Sequence, residues 1–252
     1  MVFVSRFYYT YFREWIFFEK GVDRMSVTWS EITIKNLLGF EKVIGIYDKV
    51  FPIEVREPSD IFLNGLKYAS GSFPNTFRFL VGEDEGQVVS FATGHYLAVV
   101  NVGFIVYIAT NPEVRRRGLG SETLKKMEEW LNQDAIAAGN QLVESYILET
   151  EIEEMVLTKA EKEDCINRQH FFEKNSFRRY AEIDYLQPPL HGSGQGIPLH
   201  LFIKNVRGGH VSKEEVQRII RAIYEEKYCK VNGIDHRILN NCLSEMFNLV
   251  DG

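Results

Sequence analysis

The chain has 252 residues, and its 29 lysines and arginines against 35 aspartates and glutamates give a net charge of −6. Hydrophobic residues make up 45% and charged residues 25%, which is typical of a globular protein whose core needs no disulfides. The acidic balance argues against an extended basic face for a nucleic acid backbone. We therefore expect no nucleic acid partner.

The three cysteines, Cys165, Cys229 and Cys242, are odd in number and form no CxxC pair. This pattern predicts a reducing, cytoplasmic compartment rather than a disulfide framework. Cys229, His236 and Cys242 could be considered as metal ligands, but their spacing matches no usual zinc pattern, so we expect no metal site.

Residues 1–24 are rich in aromatic side chains, but charged residues interrupt them before they reach the length of a signal peptide or membrane span. Two interpretations are open. Either this segment is amphipathic and packs on the domain, or translation starts at Met25. Residues 1–28 are accordingly predicted to form an N-terminal extension, and no membrane partner is expected.

In chain order, residues 29–71 show apolar residues at helical spacing, interrupted near Pro52 and Pro58. Three strands are predicted next, at 77–81 and 88–93 around the turn GEDEGQ, and at 96–100.

Residues 102–110, VGFIVYIAT, are almost continuously apolar, which predicts a central strand covered on both faces. An amphipathic helix follows and ends near Gly139, which is suited to a left-handed cap. Residues 142–151 then predict a strand, so the three elements form a βαβ unit with parallel pairing.

Further on, the pattern predicts a helix over 161–176 and an antiparallel strand pair over 177–186 and 197–206. Ser212, with Glu215 three residues later, predicts the start of a helix running toward Tyr228, and a second helix follows. We expect a main domain over residues 29–206 and a C-terminal helical tail over 207–252.

The segment RRRGLG lies between the central strand and the amphipathic helix. Glycines let a ligand approach the backbone, and the free amides of a helix start bind phosphate oxygens. A P-loop is excluded because no lysine follows the glycines, and a dinucleotide-binding GxGxxG is excluded because Thr123 takes the place of its third glycine. An RxxGxG cradle for a pyrophosphate remains.

With these flanking elements the sequence resembles the GNAT superfamily of N-acyltransferases, over roughly residues 29–206. The resemblance implies an α/β (α+β type) fold with a central mixed sheet of about six to seven strands flanked by helices, here with a C-terminal helical extension. It also implies that the RxxGxG segment binds the pyrophosphate of acetyl-CoA, the acyl-donor cosubstrate. The implied cofactor-binding residues are Ile108, Ala109, Thr110, Arg115, Arg116, Arg117, Gly118, Leu119, Gly120 and Ser121.

The resemblance also implies that the fourth and fifth strands splay apart around the pantetheine arm, at residues 106–110 and 145–149. A later run, FEKNSF, departs from the family pattern. Phe172 stands where many members carry a tyrosine that protonates the departing thiolate, and Ser176 stands where a glycine is usual.

Transfer to an amine needs a group that accepts the amine proton and a group that protonates sulfur. The candidate catalytic residues are Glu149, with Glu151 beside it, Tyr107 on the fourth strand and His170 near Phe172. Each also has a simpler interpretation, as an exposed strand-end carboxylate, a cleft-wall aromatic ring or a helix histidine.

The predicted function is transfer of an acetyl group from acetyl-CoA to a primary amine, on a small molecule or a peptide, by direct attack in a ternary complex. The resemblance implies this mechanism, and it agrees with the lack of a cysteine or serine in a recognisable nucleophile setting. The alternative is a noncatalytic module that binds CoA and a protein partner.

Overall fold

The structure, a computed structural model, describes residues 26–51, 56–114, 118–191 and 194–247. The aromatic segment of residues 1–24 lies outside them. Within the described ranges no helix is long and apolar enough to cross a membrane.

Within the described residues, eight strands form the sheet, with all neighbours antiparallel except one parallel pair in the middle. The strands are β1 (Thr28–Glu31), β2 (Thr76–Asp84), β3 (Gln87–Leu97), β4 (Val102–Thr110), β5 (Ser145–Glu151), β6 (Arg178–Tyr180), β7 (Leu186–Gln187) and β8 (Ile197–Asn205). Their order is β1-β2-β3-β4-β5-β8-β6, with β7 paired to β8, and the parallel pair is β4–β5.

Six α-helices in the described part of the chain flank the sheet. They are α1 (Phe40–Val50), α2 (Ser59–Ala69), α3 (Leu119–Ala137), α4 (Lys159–Lys174), α5 (Lys213–Ile223) and α6 (His236–Phe247). A π-helical segment, Tyr224–Val231, continues directly from α5. The mixed sheet flanked by helices confirms the predicted fold class, with eight strands instead of six to seven.

The predicted βαβ unit is confirmed in detail. β4 has the predicted bounds, and Gly139 follows α3 in the left-handed conformation, with φ of 92°. The N-cap of α5 is confirmed as well, because the Ser212 hydroxyl oxygen accepts a hydrogen bond from the Glu215 amide at 3.2 Å.

Three predicted elements were wrong. The strand predicted over 177–186 is two short strands, β6 and β7, which residues 181–185 separate and which both pair with β8. Residues 28–31 form β1 rather than the start of a helix, since four residues of alternating exposure pair with β2 at the sheet edge. The strands predicted at 88–93 and 96–100 belong to one strand, β3, which ends at Leu97. A turn follows over residues 98–101. Pairing of β3 along its whole length with β2 outweighs the local glycine at position 94.

The C-terminal tail shares a hydrophobic core with the sheet. On α5, residues three and four apart form one apolar face: Val216, Ile219, Ile220 and Ile223. This face belongs to the same buried cluster as Ile147 on β5 and Leu201 and Ile203 on β8. The tail therefore covers one face of the sheet beside β5, and this position brings the π-helical segment to the functional site.

Candidate active site

The parallel strands β4 and β5 separate halfway along their length. They pair from Val102–Ser145 to Ile105–Leu148, and beyond that point the described pairings of β4 are with β3 and those of β5 are with β8. The facing edges of residues 106–110 and 149–151 therefore present peptide N–H and C=O groups to the gap between them. A ligand containing amides can bind such an edge as an additional strand does.

A β-bulge lies where the strands begin to separate. Thr93 of β3 pairs with Tyr107 and Gly94 pairs with Ile105, which leaves Val106 without a partner in the ladder. The extra residue shifts the alternation of β4, so Ile105 and Ile108, three positions apart, both pack in the cluster under α3. The bulge bends β4 away from β5.

A cavity of about 550 Å³ occupies the gap between the strands. Its walls come from β4, β5, the start of α3, α4, β7 and the π-helical segment. The lining residues are Val50, Phe51, Glu57, Val106, Tyr107, Ile108, Ala109, Thr110, Gly118, Gly120, Ser121, Glu149, Thr150, Glu151, Asn167, Arg168, Phe171, Phe172, Gln187, Leu199 and Tyr228.

One end of the cavity is the N-terminus of α3. Gly118 is its N-cap residue and has φ of 99°, a left-handed conformation that favours glycine. A Cβ on Gly120 would lie 3.2 Å from a ring carbon of Phe171, a tight contact, so a larger residue here would have to displace that ring. The free amides and the positive end of the helix dipole make this end suitable for an anion.

Most of the predicted cofactor-binding residues meet at the cavity. Leu119 is the exception among the described ones, because it is buried in the core and does not line the cavity. Arg115, Arg116 and Arg117 lie outside the described residues. The residues that line the cavity are Ile108, Ala109, Thr110, Gly118, Gly120 and Ser121.

The opposite end of the cavity holds the carboxylate of Glu149, at the first position of β5 beyond the paired segment. Three neutral groups donate hydrogen bonds to it: the hydroxyl of Tyr185, the side-chain amide of Gln187 at 2.9 Å, and the hydroxyl of Tyr228 at 2.8 Å. Burial raises the pKa of Glu149, and these hydrogen bonds together with the charge of Lys227 counter part of the rise.

Tyr107 lines the cavity with its ring packed into an aromatic cluster. The ring centroid lies 4.9 Å from that of Tyr47, 5.1 Å from that of Phe51 and 5.6 Å from that of Phe62. Burial raises the pKa of Tyr107 well above its ordinary value. The ring therefore forms part of the cavity wall, and its hydroxyl stays protonated.

His170 and Glu151 are less suited to proton transfer than Glu149. His170 is exposed on α4 and is not among the described residues that line the cavity. Glu151 lines the cavity but forms an ion pair with Arg168 of α4. The structure thus brings Glu149, Glu151 and Tyr107 to one cavity and does not place His170 there.

Phe172 is buried, with 4% of its surface exposed, and its ring packs near Phe171, Phe177 and Phe202. It still lines the cavity, so the position where the family resemblance implies a hydroxyl carries an apolar ring. Ser176 has φ of 72°, which explains why a glycine is suited to that position.

Four features of the site were not predicted from the sequence. Tyr185, Gln187 and Tyr228 donate hydrogen bonds to Glu149 from the C-terminal half of the chain, and Lys227 forms a buried ion pair with Glu57 at 2.7 Å. Tyr224 and Tyr228, four residues apart, have the spacing of a core-facing helical stripe. No local pattern indicates the π-helical turn that aims the second tyrosine at the cavity.

Two clusters in the described residues offer metal-ligating groups within 4.8 Å of one another, namely Glu225 with Cys229 and His236, and Glu153 with Glu154 and His200. In the first, Cys229 Sγ lies 3.3 Å from His236 Nε2. Cys242 is buried in the C-terminal core, so the three residues considered from the sequence do not form one set.

Comparison with known proteins agrees with the architecture. Residues 42–143 match the model of the Acetyltransferase (GNAT) family. No curated protein matches the sequence at a significant level. The GNAT resemblance predicted from the RxxGxG segment and its flanking elements is thereby confirmed, and the match supports acyl transfer in general.

Solved structures share the fold. A Bacteroides thetaiotaomicron protein described as a GNAT-family acetyltransferase is 22% identical, with a TM-score of 0.57, and the alignment covers 82% of this chain and 99% of that one. The PaiA N-acetyltransferase of Thermoplasma acidophilum, solved in complex with coenzyme A, is 14% identical with a TM-score of 0.46, covering 72% and 99% of the two chains. At 22% identity, the likeness to the Bacteroides thetaiotaomicron structure concerns the fold alone.

Proposed function

We propose that this protein is an acyl-CoA-dependent N-acyltransferase that transfers an acetyl group from acetyl-CoA to a primary amine, by direct attack in a ternary complex. The observation that carries the proposal is the separation of β4 and β5, which opens one cavity between an anion-binding helix start and a buried carboxylate. An acyl-CoA has a diphosphate at one end and a thioester at the other, joined by an amide-containing arm.

The donor would bind along β4. The diphosphate meets the amides of Gly118, Gly120 and Ser121, with Arg115–Arg117 next to them in the sequence. The amides of the pantetheine arm pair with the free edge of residues 106–110. This alignment places the thioester deeper in the gap, toward Glu149.

Glu149 is proposed as the general base. Aliphatic amines are mostly protonated at neutral pH, so the ammonium first releases one proton to solvent, and the carboxylate accepts the second proton, which the nitrogen loses on attack. The raised pKa of Glu149 makes it a stronger base than an exposed carboxylate. No cysteine or histidine is among the described residues that line the cavity, which favours direct attack over a covalent enzyme intermediate.

The donor site is tested by titrating acetyl-CoA against the wild type and Gly120→Trp. The indole would fill the space next to Phe171, so we expect a large loss of affinity. Gly45→Trp is the matched control, since Gly45 is also helical but has open space around its Cβ and is exposed on α1. Equal affinity of wild type and Gly120→Trp would exclude this cavity as the CoA site.

Activity is tested by measuring thiol release from acetyl-CoA across a panel of small amines and peptide N-termini. Turnover with one class identifies the acceptor. The apolar Phe172 favours one rival, a noncatalytic CoA-binding module with a protein partner. Tight CoA binding without turnover on any amine would support that rival. We expect a cytoplasmic location from the three free cysteines, and no nucleic acid or membrane partner.

A further inference from the structure

Acyl transfer from a thioester leaves a thiolate that must be protonated, and Phe172 has no proton to give. A different hydroxyl group enters the same cavity. Tyr228 belongs to the π-helical segment, lines the cavity and donates a hydrogen bond to Glu149. Only 1% of its surface is exposed, so its ring is held by packing while the hydroxyl faces the carboxylate.

The π-helical segment holds Tyr228 firmly. On one side the hydroxyl of Tyr224 donates a hydrogen bond to the carbonyl of Leu186, and the two tyrosine rings lie 5.6 Å apart. On the other side Lys227 binds both carboxylate oxygens of Glu57, at 2.7 and 2.8 Å. Wide π-turns are frequent at functional sites because they redirect side chains.

We propose, on the basis of the acyltransferase function above, that Tyr228 donates the proton to the departing CoA thiolate and is reprotonated by Glu149. The C-terminal tail would then supply the hydroxyl that position 172 lacks. In this assignment Glu149 and Tyr228 form one relay between the amine and the sulfur.

The relay balances. The amine nitrogen attacks the thioester carbonyl, and the proton that nitrogen loses goes to Glu149. The tetrahedral intermediate collapses, the C–S bond breaks and sulfur takes the electron pair. The Tyr228 hydroxyl gives its proton to sulfur while the protonated Glu149 gives its proton to the Tyr228 oxygen. The products are the amide and CoA thiol, and both side chains return to their starting states.

The acidities of the groups suit this direction. Burial and the charge of Glu149 raise the pKa of Tyr228 well above its ordinary value, so the phenol is protonated when the thiolate forms. A thiol such as that of cysteine has a pKa of about 8.5, so it is a stronger acid than this phenol. Proton transfer from Tyr228 alone to the thiolate would therefore be unfavourable. Because Glu149, which accepts a hydrogen bond from Tyr228, returns a proton to the Tyr228 oxygen in the same step, no phenolate remains and that cost is avoided.

The other groups that bind Glu149 are less suited than Tyr228 to protonate sulfur. Tyr185 donates to the same carboxylate but is not among the described residues lining the cavity, so it positions Glu149 from behind. Gln187 binds both Glu149 and the Tyr228 hydroxyl, but an amide is no acid at this pH. The charged groups that act on the pair are Glu57 and Lys227.

The test compares Tyr228→Phe with Tyr185→Phe. Each removes one hydroxyl donor from Glu149 and keeps the ring, so both variants should raise the pKa of Glu149 and move the acidic limb of the kcat–pH profile upward. Tyr228→Phe should also lower the kcat plateau roughly 100-fold further than Tyr185→Phe does, the low end of what proton transfer contributes. The CoA dissociation constant of each variant shows whether it is folded.

A second substitution keeps the hydroxyl and so preserves the packing. In Tyr228→difluorotyrosine the phenol is more acidic, and an ionised phenol cannot donate. We expect an alkaline loss of kcat at lower pH than in the wild type, and no such change when the same residue replaces Tyr185.

The outcomes separate the relay from the function on which it depends. If the wild type turns over and Tyr228→Phe and Tyr185→Phe have equal plateau values, the relay is wrong and the acyltransferase function stands. An unchanged alkaline limb in the difluorotyrosine variant would also overturn it. If the wild type binds CoA and releases no thiol with any amine, the proposed function fails and the relay fails with it.

Discussion

The two ends of the cavity are built in different ways. The end at α3 consists mainly of backbone, with Gly118 and Gly120 exposing amides in one short stretch of sequence. The end at Glu149 consists of side chains from β5, β7 and the π-helical segment, which are distant in sequence. The α3 end, which we call the backbone-built end, suits a group that is the same in every ligand of one class, such as a diphosphate. The Glu149 end, which we call the side-chain-built end, can change its specificity by single substitutions.

The largest expected effect concerns stability at the side-chain-built end. Lys227→Met leaves Glu57 as an unpaired charge in the interior, where the two side chains are only 3% and 2% exposed. The loss should be about 3–5 kcal/mol in the free energy of unfolding. Urea denaturation measures it, with Lys49→Met as control. The exposed Lys49–Glu113 pair should be worth less than about 1 kcal/mol. Similar losses of unfolding free energy in Lys227→Met and Lys49→Met would contradict the burial of the Lys227–Glu57 pair.

Next in size is the loss of the proposed base. Glu149→Gln keeps the shape of the side chain but cannot accept a proton, so kcat should fall by about 10²- to 10⁴-fold with little change in CoA affinity. Glu151→Gln is the matched control, because Glu151 is the neighbouring strand-end carboxylate and pairs with Arg168. It should keep most of the wild-type kcat. If the two variants lost activity equally, Glu149 would have no special role.

A moderate effect is expected in the pH profile. The base must be deprotonated, so kcat/KM should fall as the pH drops through the pKa of Glu149. Because burial raises that pKa, the acidic limb should lie above the ordinary value of 4.5. Measurement of kcat/KM from about pH 4 to 9, a window that includes the ordinary carboxyl and imidazole values, locates the limb. A profile that is flat across this window would argue against Glu149 as the base.

The smallest expected effect is a change in stability caused by backbone strain at position 176. Ser176→Gly should stabilise the fold by up to about 1 kcal/mol, since a serine at φ of 72° is strained and glycine is not. Lys174→Gly, in the last turn of α4, should instead cost about 0.5–1 kcal/mol. Thermal unfolding compares the two, and destabilisation by both would show that position 176 is not strained.

Much of the backbone-built end could be predicted from the sequence. The apolar run of β4, the glycines at 118 and 120 and the amphipathic α3 are consecutive, and each obeys a local rule of periodicity or capping. The chemistry of that end follows from free helix amides, which any sequence with these elements presents. Local rules were wrong at β1, where pairing with β2 decides the structure.

The side-chain-built end could be predicted only in part. Glu149 was a candidate because it ends a strand, but its three donors come from positions 185, 187 and 228. Contacts between such distant residues depend on how the tail packs on the sheet. The π-helical turn adds to this difficulty, since Tyr224 and Tyr228 have the same spacing whether the helix is α or π.

The Glu57–Lys227 pair has a consequence for biosynthesis. The two residues are 170 positions apart, and ribosomes add about 5–20 residues per second. Glu57 therefore waits roughly 10–30 s for its partner, in a segment whose burial without that partner is costly. The donor-binding elements can assemble during this interval, whereas the cleft around Glu57 reaches its full stability only after Lys227 has been made. Completion of the cavity is thus coupled to synthesis of the π-helical segment.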